Sequence, residues 1–331
     1  MFGGKTEQLS GDSGLKRAAE LLRQGGTVAF PTETVYGLGA NALDPEAVAK
    51  IFAAKERPSW DPVIVHLADR AMLAELAEID PGTAVKTEAL IDAFWPGPLT
   101  LLLPRTSRVP DSVTAGRPLI GVRMPAHPLA LELILQASLP IGAPSANRFG
   151  RTSPTTAAHV LEDLDGRIDA VLNGGPTTVG VESTVFDVAA QMIYRPGGVS
   201  KEMLERVLGP VEVFQSPQTQ ATPESLPSPG VGIRHYAPRA RLVPVNGPAE
   251  LAAAITEDAG VMLPEGWNPG AAKVVFHWGP WNDAETLARR LFAGLRELDE
   301  SGVPIIVCPV PEMGGLGDAI RDRLKKAARE K

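Results

Sequence analysis

The sequence predicts an α/β protein built from two domains, and three observations support this expectation. Helical and strand patterns alternate along roughly the first two hundred residues, a proline-rich segment follows, and the alternation then resumes. The length of 331 residues exceeds that of one typical domain, and an apolar fraction of 44% is that of an ordinary globular protein. We therefore expect domains over residues 1–209 and 240–331, joined by a linker over 210–239.

In the first domain, apolar spacing and capping residues predict each element in turn. Apolar residues between 15 and 22 recur at helical spacing, and Gly25-Gly26 ends that helix. A proline after a good N-cap residue predicts helix starts at Asp44-Pro45 and Ser153-Pro154, and Ser200 opens a helix that ends at Gly209. A further helix is predicted over 127–136. Strands are predicted over residues 27–30, 99–103, 119–124, 181–188 and 192–195.

The linker and the second domain differ sharply in pattern. Residues 210–238 hold six prolines and little apolar periodicity, which is typical of an extended connection. Beyond it, strands are predicted over residues 241–245, 260–263, 273–276 and 304–308, and helices over 248–256 and 283–298. This alternation predicts a smaller, mostly parallel, Rossmann-like α/β domain.

Composition and charge exclude several classes of protein. The chain has 32 basic and 39 acidic residues, a net charge of −7, which argues against a broad nucleic-acid-binding surface. A single cysteine, Cys308, excludes a disulfide framework and a cysteine-built metal site. The N-terminal residues contain no apolar segment typical of a signal peptide, and no long apolar run predicts a membrane span. We expect a cytoplasmic protein that does not contact a membrane.

The common nucleotide-binding and metal-binding motifs do not account for this sequence. It contains no G-x-x-x-x-G-K-[ST] phosphate-binding loop. Residues 37–42 imitate the dinucleotide fingerprint, but the next helix is predicted to begin only near Asp44, so we interpret them as a turn with two glycines. The five histidines are scattered along the chain, so no metal site built by the protein alone is expected.

Polar residues at the ends of predicted strands are better candidates for a site. Thr34 follows the strand over 27–30, and Ser183 and Arg195 belong to two later strands. Ser145 and Asn147 are two residues apart, so an extended chain would point both to one side. Each signal is weak alone, but ligands of α/β sheets collect at the carboxyl ends of strands, where one cleft could gather these groups.

Three basic residues add charge to this candidate site. Lys55 and Arg57 could converge on an anion past a helix end, because Pro58 excludes the helical conformation at Arg57. The alternative is a solvent-exposed helix C-terminus, where basic residues complement the dipole. Arg123 lies in an apolar strand and needs a partner, either a distant carboxylate of the protein or that of a substrate. His66, in another apolar run, is more typical of a hydrogen-bonded core residue than of a catalyst.

Eight short motifs together resemble the YrdC family, which is the threonylcarbamoyl-AMP synthase family. Their order and spacing match over nearly all of residues 10–209. They are PTETVYGLG (31–39), KxRP (55–58), His66, VRxP (122–125), APSAN (143–147), SPT (153–155), GVEST (180–184) and RPGG (195–198). The segment 228–238 and the α/β tail resemble the long form of that synthase, which has an additional C-terminal domain.

The resemblance implies a fold, a reaction and its substrates. The fold is a twisted mixed sheet with helices in the first domain. L-Threonine, bicarbonate and ATP would give L-threonylcarbamoyladenylate and pyrophosphate, the activated intermediate for threonylcarbamoyl-adenosine at tRNA position 37. Such a nucleotidyltransferase would hold Mg²⁺ mainly through the ATP phosphates. The product would be handed to the tRNA threonylcarbamoyl transferase complex.

The resemblance also implies roles for particular residues. Lys55 and Arg57 would be the catalytic residues. ATP contacts are implied for Lys55, Arg57, Asp61, Ser145, Asn147, Ser153, Arg195, His235 and Tyr236. Threonine contacts are implied for Thr34, His66, Arg123, Ser145 and Ser183. Asp61 stands where the family often has asparagine, and Phe149 replaces a usual small hydroxyl residue. The linker, through Arg234, His235 and Tyr236, would fold over the nucleotide as a lid.

Two rival functions stay open at this level. An RNA-binding module of the same fold would need basic residues interleaved with stacking aromatic residues, and the net charge of −7 argues against it. A carbamoyl transferase acting through a related adenylate would be expected to carry zinc-finger cysteines, whereas the chain has only Cys308. The role of the second domain and the oligomeric state are not predicted by the sequence.

Overall fold

The computed structural model describes residues 4–215 and 235–329. In chain order the strands are β1 (Glu7–Leu9), β2 (Val28–Phe30), β3 (Gly37–Asn41), β4 (Ile64–His66), β5 (Leu99–Pro104), β6 (Leu119–Arg123), β7 (Ile141–Gly142), β8 (Ala170–Leu172), β9 (Thr184–Asp187), β10 (Met192–Arg195), β11 (Glu212–Val213), β12 (Arg241–Val245), β13 (Gly260–Pro264), β14 (Val274–Gly279) and β15 (Ile305–Pro309). The α-helices are α1 (Gly11–Arg23), α2 (Pro45–Lys55), α3 (Leu73–Leu76), α4 (Ala84–Phe94), α5 (Asp111–Thr114), α6 (Pro128–Ala137), α7 (Ala157–Leu164), α8 (Lys201–Leu208), α9 (Gly247–Ala254), α10 (Ala284–Glu300) and α11 (Leu316–Ala327), and Arg70–Met72 form a 3-10 turn.

The first domain is built on a twisted mixed sheet. Among the described residues, eleven strands pair in the order β1-β8-β2-β3-β7-β4-β6-β5-β9-β10-β11. The neighbours β4 and β6 are parallel, and their register sets His66 opposite Arg123. Because the carboxyl ends of parallel strands meet at one edge of a sheet, these two polar side chains lie at the same edge. The fold class predicted from the sequence is confirmed.

Helices cover the sheet with the apolar faces that the sequence predicts. Buried α1 residues pack with β2 and α6 residues in one apolar cluster. Asp44 caps α2 as predicted, since its carboxylate accepts hydrogen bonds from the backbone N–H groups of Glu46 and Ala47. Ser200 caps α8 in the same way by accepting from the Met203 N–H. These caps fix the starts of α2 and α8.

The turn predicted for residues 37–42 is wrong. Residues 37–41 form β3, which pairs with β2 and β7. A Cβ atom on Gly39 would lie 2.7 Å from side-chain atoms of both Ile141 and Phe30. The glycine therefore allows a close approach inside the sheet, and a pair of glycines is not here the signal of a turn.

The helix start predicted at Ser153-Pro154 is also wrong. Helix α7 begins at Ala157, and the Thr156 hydroxyl accepts the hydrogen bond from the His159 N–H at 3.3 Å. Ser153 instead donates its hydroxyl to the Glu182 carboxylate, and the Pro154 carbonyl accepts from the Tyr36 N–H at 2.9 Å. Ser153 therefore does not cap a helix, because Ser153 and Pro154 form hydrogen bonds with residues that are distant in sequence.

The second sheet has the small parallel architecture that the sequence predicts. Its order is β12-β15-β13-β14, and every pairing in it is parallel. Helix α11 follows β15 and was not predicted, because its basic residues obscure its apolar stripe. Part of the predicted linker belongs to the first sheet, since β11 pairs with β10. Residues 216–234 of the linker lie outside the described residues.

The two sheets share an apolar interface. Val35 and Val181 of the first domain lie in the same buried cluster as Leu287 and Phe292 of α10, with Tyr236 among them. Polar contacts flank this cluster: Arg296 of α10 binds Glu162 and Asp163 of the first domain, at 2.9 and 2.7 Å. Within the described parts of the chain, no helix is long and apolar enough to cross a membrane.

Gly180 sits at a close approach between the domains. Its φ is +81°, and a Cβ atom there would lie 2.3 Å from the Arg289 Cα atom. Gly175 has the same φ of +81° but open space around its Cβ position, so it is a matched control. An alanine at either position costs roughly 1–2 kcal/mol for the left-handed backbone. We expect Gly180→Ala to lose about 1–3 kcal/mol more, because the domains must move apart.

Urea unfolding followed by tryptophan fluorescence measures this difference. Trp278 is fully buried in the interface cluster and reports on it. Equal losses of unfolding free energy in Gly180→Ala and Gly175→Ala would contradict the close interdomain packing.

Candidate active site

Strand ends and loops of the first domain, together with two residues near the end of the predicted linker, form one cleft. It encloses about 520 Å³, including space that opens to solvent at its mouth. Its lining residues are Thr32, Thr34, Val35, Gly37, Arg57, Ile64, His66, Arg123, Ala143, Pro144, Ser145, Glu182, Ser183, Arg195, His235 and Tyr236. Nine residues predicted from the sequence therefore lie around one space.

The β2–β3 loop forms one wall through a chain of hydroxyl groups. Thr32 donates to the Val35 carbonyl at 2.7 Å, and its hydroxyl lies 2.8 Å from that of Thr34. Thr34 in turn accepts a hydrogen bond from Arg123 Nη1 at 3.0 Å. Thr32 and Thr34 therefore make local hydrogen bonds within this loop and also line the cleft.

Arg123 has the distant carboxylate partner that the sequence left open. Its Nη2 atom lies 2.6 Å from Glu33 Oε1, and both side chains are buried. Sequence reasoning missed Glu33 as a partner, although a glutamate between two buried threonines was a usable signal. The Arg123 Nε atom is buried and makes no hydrogen bond within the described residues. Arg123 therefore keeps an unused donor on a side chain that lines the cleft, while its charge is balanced by Glu33.

His66 is neutral in this environment. Burial, and then the nearby charge of Arg123, lowers its pKa to about 3. The ring packs edge-on against Phe30 at 6.1 Å, and its Nδ1 atom has no hydrogen-bond partner among the described residues. A neutral ring with an unused nitrogen suits hydrogen bonding to a polar ligand at physiological pH.

Lys55 and Arg57 are not exposed at a helix end, so that alternative is wrong. Both are buried, at 1% and 8% exposure. Arg57 pairs with Asp61 at 3.0 Å and donates to the Pro62 carbonyl at 2.7 Å. Burial lowers the pKa of Lys55 and raises that of Asp61. Removing either basic residue would leave buried acceptors unpaired, so these residues support the fold as well as the cleft.

The loop after β7 is a turn and not the extended segment that was predicted. The Asn147 N–H donates to the Ser145 carbonyl at 3.0 Å, and Lys55 donates to the carbonyls of both residues. Ser145 lines the cleft, but the Asn147 side chain turns away and donates to the carbonyls of Arg148 and Arg151. The two side chains do not point to one side, as their spacing predicted, because the loop curves around the Lys55 ammonium group that binds both carbonyls.

The segment before β9 leaves the predicted strand to line the cleft. Arg195 donates from Nε and Nη2 to the Ser183 carbonyl, at 3.1 and 3.0 Å. The Ser183 hydroxyl is also 2.8 Å from that of Thr100. Beside it, Glu182 accepts from Ser153, which lies behind the wall of the cleft. Sequence reasoning missed Glu182, although its position inside the GVEST motif marked it.

Two aromatic residues near the end of the predicted linker close another side of the cleft. His235 and Tyr236 are buried, and their rings lie 4.2 Å apart. Phe149, where the family usually has a small hydroxyl residue, packs edge-on against His235 at 5.7 Å. Burial, then the charges of Arg57 and Lys55, lowers the pKa of His235. Arg234, also predicted to belong to the lid, lies outside the described residues.

Four predicted site residues do not line the cleft. Lys55, Asp61, Asn147 and Ser153 lie behind it and hold the lining residues in place. No three His, Cys, Asp or Glu side chains of the described ranges gather as a metal-binding group. The lining itself is rich in guanidinium groups and hydroxyls, which suits an anionic ligand with several oxygen atoms.

The neutral state of His66 predicts a dependence of stability on pH. An unfolded chain binds a proton on this ring near pH 6.5, whereas the folded chain does so only near its pKa of about 3. Lowering the pH through this window therefore favours unfolding. Between about pH 6.5 and 4.5 we expect His66 to account for a loss of about 2–3 kcal/mol.

The His66→Asn variant should lose less unfolding free energy than the parent over that pH range, as measured by urea unfolding at both pH values. His277→Asn is the control, because His277 is exposed on β14. If the parent and His66→Asn show the same acid sensitivity, His66 is already protonated in the folded chain.

The chain is similar to known proteins over nearly its full length. Residues 20–197 match the model of the Sua5, YciO and YrdC family, described as telomere recombination. Residues 199–329 match the model described as threonylcarbamoyl-AMP synthase, C-terminal domain.

Individual relatives match over similar lengths. The threonylcarbamoyl-AMP synthase of Pyrococcus abyssi is 43% identical, covering 95% of this chain and 94% of its own. That of Bacillus subtilis is 44% identical, covering 98% and 95%. The crystal structure of P. abyssi Sua5 complexed with L-threonine matches with a TM-score of 0.90 and 40% identity, covering 98% of each chain. The chain therefore belongs to the Sua5/YrdC family of threonylcarbamoyl-AMP synthases, in the form that carries the additional C-terminal domain.

Proposed function

We propose that this cleft joins L-threonine, bicarbonate and ATP into L-threonylcarbamoyladenylate and releases pyrophosphate. The observation that carries the proposal is the convergence of three buried guanidinium groups, those of Arg57, Arg123 and Arg195, on one cleft. A nucleotidyl transfer needs this kind of charge neutralisation more than it needs a nucleophilic side chain. The nucleotidyltransferase chemistry that the family name indicates fits a site without a catalytic triad.

The bond changes require no cofactor with its own chemistry. The threonine amine and bicarbonate form a carbamate and release water. A carbamate oxygen then attacks the α-phosphorus of ATP, a new P–O bond forms, and the bond to the β-phosphate oxygen breaks as pyrophosphate leaves. Orienting the carbamate against the phosphorus supplies most of the catalysis, because both reactants are anionic and must be held together.

L-Threonine is assigned to the side of the cleft near the carboxyl ends of β4 and β6. The unused donor capacity of Arg123 suits the threonine carboxylate, in a charge-assisted pair. Thr34, Ser145 and Ser183 offer hydroxyl groups, and the neutral His66 offers a ring nitrogen for the remaining polar atoms. A Sua5 relative was crystallised with L-threonine, which supports this substrate for the shared cleft.

ATP is assigned to the side near Arg57 and Arg195. Their guanidinium groups suit the phosphate oxygens, and Lys55, Asp61, Asn147 and Ser153 support this wall from behind. Mg²⁺ would be bound mainly by the phosphates, as is usual for this ion. Direct ATP contacts by the four supporting residues stay predictions.

The chain is assigned three parts on this basis. Residues 1–209 form the catalytic domain, 210–239 a linker and lid, and 240–331 the C-terminal α/β domain. His235 and Tyr236 line the cleft and suit a lid over the nucleotide. A labile adenylate favours direct hand-over to a tRNA threonylcarbamoyl transferase complex, and a cytoplasmic location goes with that role.

The reaction itself gives the first test of the proposal. Pyrophosphate should form only when ATP, bicarbonate and L-threonine are all present, because each supplies atoms to the adenylate or to its leaving group. A coupled pyrophosphate assay with each component omitted in turn measures this dependence. Release of orthophosphate without dependence on an amino acid would overturn the proposal.

The two ends of the cleft give a second test. Arg123→Gln should raise the KM for threonine by roughly 10- to 150-fold, because a charge-assisted pair is worth about 1.5–3 kcal/mol. The KM for ATP should change little. Arg57→Gln should show the reverse pattern, with the larger loss for ATP.

Folding must be separated from binding in this comparison. Arg123→Gln alone leaves the Glu33 carboxylate buried without its partner, so the double variant Glu33→Gln/Arg123→Gln is the better-folded control. A folded double variant with an unchanged KM for threonine would remove Arg123 from the threonine site.

A further inference from the structure

One arginine of the C-terminal domain reaches the wall of the cleft. Arg323 lies on α11, and its side chain is fully buried. Its Nε atom donates to Glu182 Oε2 at 2.8 Å, and its guanidinium carbon lies 5.0 Å from the centre of the Tyr236 ring. Both contacted residues line the cleft. The C-terminal domain therefore touches the site through this side chain without lining it.

Arg323 also fixes two segments of the first domain relative to each other. Its Nη1 atom donates to the Pro196 carbonyl at 2.8 Å, while Nε holds Glu182. These segments are already in tight contact, since a Cβ atom on Gly197 would lie 2.3 Å from the Glu182 carbonyl oxygen. Pro196 follows Arg195, so the guanidinium group links the backbone next to one cleft residue with the side chain of another.

The Glu182 carboxylate depends on this contact for its charge. One oxygen accepts from Ser153 and the other from Arg323. Burial raises the pKa of Glu182, but the positive charges of Arg323 and Arg195, together with the hydrogen bonds from Ser153 and Arg323, hold the pKa below its usual range. Three other ionisable groups face this cluster, namely Tyr236, Asp322 and Lys326. Asp322 is bound to Arg323 Nη1 at 2.8 Å and to Lys326 at 2.8 Å. Without Arg323, the carboxylate loses its largest stabilising charge.

We propose that Arg323 is a positioning residue of the catalytic cleft, which fixes Glu182 and the backbone next to Arg195, so that the C-terminal domain completes the site. This inference rests on the proposed function for its catalytic consequence. Arg323 touches no reacting atom, and it acts through the orientation of Glu182 and through the segment that carries Arg195. A small misplacement of such groups can cost on the order of 100-fold in rate.

The full chain carrying Arg323→Met tests the proposal. We expect kcat to fall on the order of 100-fold, with a smaller change in the KM for threonine. The acid limb of the kcat/KM profile should move to higher pH, because Glu182 has lost the charge that lowers its pKa. Arg323→Lys keeps a positive charge near Glu182 and should recover part of both effects.

A matched control separates these effects from loss of domain contact. Arg296 is another buried arginine of the C-terminal domain that binds carboxylates of the first domain, and neither Glu162 nor Asp163 lines the cleft. Arg296→Met should lower stability but leave the acid limb of the pH profile in place. Equal shifts in Arg296→Met and Arg323→Met would overturn the specific role of Arg323.

A readout that needs no substrate keeps the proposal testable if the proposed function fails. At neutral pH, Arg323→Met should lower unfolding free energy more than it does at acid pH, where the Glu182 carboxylate is protonated. That extra loss should disappear in the Glu182→Gln background. If the loss persists there, or does not depend on pH, Arg323 does not act through Glu182. An inactive parent chain that still shows the coupling would refute the proposed reaction and leave this contact intact.

Discussion

The burial of positive charge is the constraint on which the site depends. Arg57, Arg123 and Arg323 are each buried, and each meets a carboxylate, those of Asp61, Glu33 and Glu182. An unpaired guanidinium group at these depths would carry a large desolvation cost. Pairing removes most of that cost and leaves some donors unused, so the cleft remains attractive to anions without destabilising the fold.

The same constraint explains why the cleft is assembled from distant segments. The three carboxylates come from the β2–β3 loop, the segment after α2 and the segment before β9. Arg123 and Arg323 come from other elements, whereas Arg57 lies four residues before Asp61 in the same segment. The parallel pair β4 and β6 provides the frame, because its register brings His66 and Arg123 to one edge. Behind that edge, Lys55 binds two loop carbonyls and converts a sequence that looks extended into a turn.

The C-terminal domain belongs to this charge arrangement. Its helix α11 supplies the partner of Glu182, and its helix α10 supplies the apolar surface against which Tyr236 packs. The domain is therefore coupled to the cleft through the contacts of Arg323 and the packing of Tyr236, and its docking depends on the absence of a side chain at Gly180. A substitution at this interface is therefore expected to affect the cleft through Arg323, Glu182 and Tyr236.

The sequence by itself determined the α/β class, most helices and strands, and a set of motifs whose family resemblance identified nine of the cleft-lining residues. These features depend on local periodicity, capping and residue type, which one chain displays directly. Only the tertiary structure decided the partners Glu33, Glu182 and Arg323, the burial of Lys55, and the turn at 145–147. It also replaced the predicted helix start at Ser153 with a bond to Glu182. The reason is physical: a buried charge or hydroxyl is satisfied by whichever group folding brings within hydrogen-bond distance, and that group is often 90 or more residues away.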